Sequence, residues 1–282
     1  MPELPEVETI CRGLSRKCVG STIVSVHVHR SSFVRGPSDP SDLLLGLTIA
    51  RIVRHGKQFV LESVCGRVML FHMGMSGSLT IRPFQSERAA HVHVHWVLIH
   101  NGKKFELHHK DPRRFGHVRA YQSMQIVRNS VWSKLGPDAI AITAEQLRLN
   151  LLDRKFSIKA ALLNQSILAG VGNIYADESL FQTRIHPLRK ANSLSFLEIK
   201  KLVHNLQIIL KSSIHGGGST IQDHRDALGS AGTYQKTHQV YGRHGDPCVK
   251  CGAVLRKIVC AQRTTVFCPA CQKLNRSNKT RT

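Results

Sequence analysis

Four cysteines, Cys248-x2-Cys251-x16-Cys268-x2-Cys271, constrain this chain more than any other feature. Two such knuckles at this separation can wrap one tetrahedral zinc through four thiolates, a spacing improbable for unrelated cysteines. A closed four-thiolate site leaves no open coordination position, so one structural Zn2+ is expected to stabilise the fold without performing hydrolysis. Arg256, Lys257 and Arg263 lie between the knuckles, so a zinc-braced hairpin would carry cations toward a phosphate or a groove. Cys11, Cys18, Cys65 and Cys260 stand alone and read as small buried or partly buried apolar residues.

The charge balance points the same way. In 282 residues, 40 Lys and Arg face 18 Asp and Glu, a formal charge of +22. A polyanion is the natural partner of such an excess. Nucleic acid is favoured over membrane, because no window approaches the roughly 18 uninterrupted apolar residues of a membrane span. The opening residues are acidic and lack the positive region and apolar core of a secretory signal, so a cytoplasmic location is expected. The length suits about two domains.

Organisation follows from periodicity. Val7, Ile10, Cys11, Leu14 and Cys18 fall at helical spacing and predict a helix over Val7 to Val19, stopped by Gly20. From Thr22 to Tyr121 the pattern shifts to period two, with apolar runs ending at Gly or Asn-Gly turns, which predicts a β-sandwich or flattened barrel. The turn residues of Trp132 to Asp138 mark a domain boundary. Beyond it, the pairs Thr143 with Gln146 and Ser195 with Glu198 are capping boxes ahead of apolar helical series. The expected segments are therefore a strand-rich domain (1–132), a linker (133–142), a helical domain ending in a glycine-rich loop (143–235), a four-cysteine finger (236–274) and a polar basic tail (275–282). His91, His93 and His95 alternate along one predicted strand, and a solvated strand face explains that spacing more simply than a metal site.

Two further motifs carry chemistry. The chain opens Met1-Pro2-Glu3-Leu4-Pro5-Glu6. Trimming of Met1 would expose a secondary amine with a pKa near 8, which can attack an electrophilic sugar carbon and form an iminium. Glu3 and Glu6 stand close enough to move protons, although Pro5 and Glu6 also suit an ordinary helix start. Gly170-Val171-Gly172-Asn173 runs from a glycine turn into a helix start, whose free N–H groups can hold a phosphate.

The opening PELPEVET, the Ile158-Lys159-Ala160 and Gly170-Val171-Gly172-Asn173 corner and the terminal cysteine motif, in that order along nearly the whole chain, resemble the formamidopyrimidine-DNA glycosylase family. The resemblance implies an α+β, multidomain fold: an N-terminal helix plus an antiparallel β-sandwich, then a helix-two-turn-helix domain with a C-terminal β-hairpin zinc finger. It implies a monomeric base-excision-repair enzyme that binds damaged double-stranded DNA, excises 8-oxoguanine and formamidopyrimidines through a Pro2 Schiff base, and nicks the strand by β,δ-elimination.

The resemblance also distributes roles. Pro2 is the nucleophile, Glu3 protonates the opening sugar, and Lys57 and Arg263 assist the two eliminations. With a pKa above 12, Arg263 suits a phosphate clamp better than a proton donor. Met75, Arg113 and Phe115 fill the void left by the everted base, and Arg113 addresses the orphaned partner. Lys159, Asn173, Arg154 and His91 contact DNA phosphates. Gly216-Gly217-Gly218-Ser219-Thr220-Ile221 begins a loop that closes over the lesion, although His224-Arg225-Asp226 stands where an aromatic is expected. Two other readings compete: a catalytically silent DNA-binding protein on the same scaffold, and the sister endonuclease VIII type, whose members open PEGPE and act on oxidised pyrimidines.

Overall fold

The computed structural model describes residues 2–36, 39–221 and 225–274. Met1, Asp223, His224 and the basic tail 275–282 lie outside the described residues. The chain divides into two compact units that do not follow chain order: Met1–Lys134 with Ser213–Gln235, and Leu135–Ser212 with Lys236–Thr282.

The first unit opens with helix α1, Leu4–Cys18. It begins three residues before the apolar pattern, because Pro5 pre-sets the first turn and the Glu6 carboxylate accepts from the Glu3 N–H at 2.9 Å. Arg16 and Lys17 occupy the last turn, where the helix dipole favours cations. Eight strands follow: β1 (Thr22–Val28), β2 (Ile49–His55), β3 (Gln58–Ser63), β4 (Val68–His72), β5 (Ser78–Pro83), β6 (Val92–His100), β7 (Lys103–Lys110) and β8 (His117–Tyr121). They form two antiparallel four-stranded sheets, ordered β1-β6-β7-β5 and β2-β3-β4-β8.

One apolar cluster fills the space between the sheets, joining Trp96 and Leu107 of the first to Phe59 and Phe71 of the second, with Val7, Ile10 and Leu14 of α1. Phe59 and Phe71 stack at 4.9 Å. The late segment belongs here too: the Ala227 carbonyl accepts from the Ile81 N–H at 2.8 Å, and Gly13 leaves room for the Ala227 side chain. A short helix, α2 (Met124–Ser130), follows β8 and was not evident in the sequence.

Two expectations are corrected in this unit. His91, His93 and His95 do not share a solvated face. His91 precedes β6 with φ +66°, His93 is buried with Nε2 against the Asp111 carbonyl at 2.8 Å, and His95 is half-buried and stacked on His27. Strand alternation alone does not reveal that neighbouring imidazoles cover one another. Cys65 is exposed, because it sits in the turn between β3 and β4, whereas Cys11, Cys18 and Cys260 are buried as expected.

The second unit contains α3 (Ala144–Leu151), α4 (Ile158–Leu163), α5 (Asn173–Gln182), α6 (Phe196–His215, which runs on into the first unit) and the hairpin β9 (Arg256–Cys260) with β10 (Arg263–Phe267). Both capping boxes form: Gln146 N–H donates to Thr143 Oγ1 at 3.2 Å, and Ser195 N–H donates to Glu198 Oε2 at 2.8 Å. The glycine corner between α4 and α5 is held by Gln165, whose Oε1 accepts from Gly170 N–H and whose Nε2 donates to the Val171 carbonyl, both at 2.9 Å. Glu178 is buried at the centre of α5 and accepts backbone N–H groups from Gln239, Val240 and Tyr241. That single carboxylate ties the chain entering the cysteine region to the helical corner.

No helix among the described residues is long and apolar enough to cross a membrane.

Candidate active site and nucleic-acid interface

In the first unit the N-terminal constellation is enclosed. Pro2 is buried, and Glu3 and Glu6 are only 3% and 2% exposed. Glu6 has two jobs: Oε2 accepts from the Glu3 N–H, and Oε1 accepts from the Ser219 N–H at 2.7 Å. It therefore fixes the first helical turn against the loop that starts at Gly216. Gly218 permits the approach, since its φ is +82° and a Cβ there would lie 3.1 Å from Glu6 Oε1. The same loop is closed at its base by Gly232 N–H on Thr220 Oγ1 and Thr220 N–H on Gln235 Oε1.

Lys57 follows Gly56 in the turn joining β2 to β3. That turn is anchored by Arg54, which donates to the Gly56 carbonyl at 3.0 Å and to Glu8 of α1 at 2.8 Å. Burial pushes the Glu8 carboxyl up, but Arg54 and Arg12 outweigh it and hold the pKa below its ordinary value. Glu8 thus stays charged and joins the helix to the lysine-bearing turn.

The residues expected to fill a void stand on two adjoining loops. Met75 and Phe115 are 40% and 52% exposed, and the Arg113 guanidinium lies 5.0 Å from the centre of the Phe115 ring. Asp111, fully buried, joins the loops: its carboxylate accepts from Ser76 Oγ (2.5 Å), Gly116 N–H (2.7 Å) and Arg113 N–H (3.2 Å). Gly74 must lack a side chain, because a Cβ would fall 2.4 Å from the Gly116 nitrogen. Sequence reasoning passed over Asp111; its signal was a lone acid directly before a basic loop. His91, expected at a phosphate, is exposed, and its carbonyl accepts from the Asp111 N–H at 3.0 Å.

In the second unit the corner and the hairpin converge. Asn173 begins α5 and donates from Nδ2 to the Thr264 carbonyl at 2.9 Å, beside Arg263. Arg263 is exposed and follows the two-residue turn Ala261-Gln262, both with positive φ (+50° and +57°), the backbone of a tight hairpin turn built without glycine. Arg154 is exposed just beyond α3.

Lys159 differs from the phosphate contact expected of it. It is fully buried, with Nζ 2.6 Å from Asp177 Oδ1 and 2.6 Å from Thr265 Oγ1. Asp177 in turn accepts the Val266 N–H at 3.1 Å, and burial raises its pKa to about 7 against the opposing pull of Lys159. In this arrangement Lys159 braces the hairpin that carries Arg263. Lys159→Met is expected to destabilise the second unit by about 3–5 kcal/mol, the cost of leaving a buried partner uncompensated. Denaturant unfolding measures it, and a change under ~1 kcal/mol would contradict the bracing role.

The four cysteines fit zinc. Their Sγ atoms all lie within 4.8 Å of one another, with Cys251 Sγ 3.5 Å from both Cys268 and Cys271 and Cys248 Sγ 4.0 Å from Cys271. Backbone N–H groups of Lys250 and Cys271 point at Cys248 and Cys268 at 3.4 Å, as donors do around metal thiolates. One structural Zn2+ held by Cys248, Cys251, Cys268 and Cys271 suits this donor set.

The fold and these sites define a zinc-finger protein whose β-sandwich carries an enclosed N-terminal proline and whose helical unit presents a basic hairpin. Three family models match in succession: the formamidopyrimidine-DNA glycosylase N-terminal domain over residues 1–118, its H2TH domain over 135–225, and the zinc finger found in FPG and IleRS over 245–274. A formamidopyrimidine-DNA glycosylase of Hydrogenovibrio crunogenus is 39% identical over 277 residues, covering 97% of each chain. That of Desulfitobacterium hafniense (strain DSM 10664 / DCB-2) is 38% identical over 276 residues, covering 96% of this chain and 100% of its own. Among solved structures, a Lactococcus lactis FPG mutant in complex with a Fapy-dG-containing DNA superposes with a TM-score of 0.89 at 34% identity, covering 97% of this chain and 100% of the other. Lactococcus lactis Fpg with an abasic-site-containing DNA gives 0.88 at 34%, covering 96% and 100%. The chain belongs to the formamidopyrimidine-DNA glycosylase family.

Proposed function

We propose that this chain is a bifunctional DNA glycosylase and abasic-site lyase that removes oxidised purines, 8-oxoguanine and formamidopyrimidines, from duplex DNA in the bacterial cytoplasm. The observation that carries the reading is the enclosed start of α1, where Pro2 sits buried beside two buried carboxylates in an otherwise strongly basic chain. Burial keeps water from the reacting centre, and the proline ring limits the directions its nitrogen can take.

With Met1 removed, the Pro2 nitrogen attacks C1′ of the deoxyribose of an everted nucleotide. Glu3 gives a proton to the ring oxygen as the sugar opens, the base departs and an iminium remains. The iminium draws electrons from C2′, a C2′ proton is lost and the 3′ phosphate leaves; a second elimination expels the 5′ phosphate. Lys57 supplies a proton in the eliminations, while Arg263 and Asn173 hold phosphate. Arg154 and His91 are further phosphate contacts. Glu6 keeps the first turn and the Ser219 loop in register and takes no proton. Met75, Arg113 and Phe115 occupy the gap in the stack and offset an eversion cost of a few kcal/mol. Zinc, when bound, supplies no chemistry; it stiffens the hairpin carrying Arg263.

Lactococcus lactis FPG (MutM) has also been solved with an oxidised-pyrimidine-containing DNA, so the substrate test pairs both lesions. Excision from 8-oxoguanine:cytosine and thymine-glycol:adenine duplexes, compared by kcat/KM, is expected to favour 8-oxoguanine by about tenfold or more, which corresponds to ~1.4 kcal/mol of transition-state discrimination. A clear preference for thymine glycol would overturn the purine assignment.

A further inference from the structure

The first unit holds a cleft of about 570 Å³ whose lining, Phe115 apart, has no role above. Arg35, Arg119 and Lys134 line it, with the stacked rings of His72 and His117 (5.3 Å between centres) on one side and Phe115 at its edge. Among the described residues, none that lines it is acidic. The imidazoles do not add charge at neutral pH: burial, then Arg35, lowers both, with His117 brought to about 4. Arg119 stacks on Tyr121, another lining residue, at 4.9 Å, so its planar guanidinium is held in place. Three cations gathered in a concave site whose lining has no carboxylate create a local positive excess that suits an anion. Two of them present the fork that matches phosphate oxygens.

Phe115 fixes which anion arrives. Its ring borders the cleft and supports the Arg113 guanidinium at 5.0 Å, the group assigned above to the orphaned base. With Arg113 on the orphaned base as proposed above, the nearest backbone on the Phe115 side is that of the strand opposite the lesion. We propose that this cleft binds a backbone phosphate of the undamaged strand next to the orphaned nucleotide. Gripping that strand anchors the duplex while the damaged nucleotide is turned out. The proposal rests on the DNA-repair reading and adds a strand-specific contact to it.

The test uses the full chain and a duplex bearing a stable tetrahydrofuran abasic analogue opposite cytosine. Dissociation constants are measured from about 50 to about 300 mM salt for wild type and for the triple variant Arg35→Gln, Arg119→Gln and Lys134→Gln. Each lost phosphate contact lowers the slope of log K against log salt by about 0.9, so a fall of about that size is expected for the one phosphate the cleft holds. All three side chains are exposed, and an unaltered thermal unfolding curve establishes that the variant folds. Uncharged methylphosphonate linkages beside the orphaned cytosine should weaken wild-type binding and leave the variant unaffected; in the lesion strand they should weaken both alike. An unchanged slope, or equal sensitivity of both proteins to the opposite-strand linkages, overturns the cleft proposal while the glycosylase reading stands. Absence of salt-dependent binding by wild type overturns both.

Discussion

Pro2→Gly is expected to lower 8-oxoguanine excision by roughly 10³-fold, or ~4 kcal/mol in the barrier, while changing duplex affinity little. Glycine still offers an amine, but it is primary and free to rotate, so the nitrogen loses its ring constraint. Proteins with Met1 retained should be inactive altogether, because their only α-amine is displaced by one residue. A kcat loss at unchanged KM in single-turnover assays identifies an interaction made in the reaction itself. A variant with near wild-type kcat would remove Pro2 from the mechanism.

The second large effect concerns zinc. Cys268→Ser is expected to abolish zinc binding, unfold the chain around the hairpin and weaken duplex binding by about 100-fold or more. Structural zinc contributes about 10–16 kcal/mol at neutral pH, comparable with the whole stability of a domain. The core beside it is small: Phe181, Val240, Leu255 and Val266 pack with Cys248 and Cys268 and little else. Zinc content by atomic absorption and unfolding followed by circular dichroism measure the effect. The first unit, with its own core, should keep its transition. Full DNA affinity in a zinc-free variant would show that the hairpin holds its shape without the ion.

These outcomes separate what local sequence encodes from what it does not. The cysteine knuckles, both capping boxes and the strand alternation were legible because each is set by spacing within a few residues. Glu6 was legible only in part: its bond to the Glu3 N–H is a local cap, whereas its bond to Ser219 spans 213 residues and leaves no trace in spacing. For Lys159 the family resemblance implies a phosphate contact. Its burial against Asp177 and Thr265 depends on how α5 meets the hairpin, which no window of sequence contains. The histidines of β6 illustrate the same limit, since whether His95 meets water or His27 is decided by strand order.

The proposed mechanism turns on one bond, between the Pro2 nitrogen and C1′ of the damaged sugar. Borohydride reduction during reaction with an 8-oxoguanine duplex, followed by peptide mapping of the trapped complex by mass spectrometry, tests it directly. A single adduct at residue 2 is expected in Met1-processed protein and none in protein that retains Met1. An adduct on Lys57 or another lysine, or no adduct while the base is released, would contradict it.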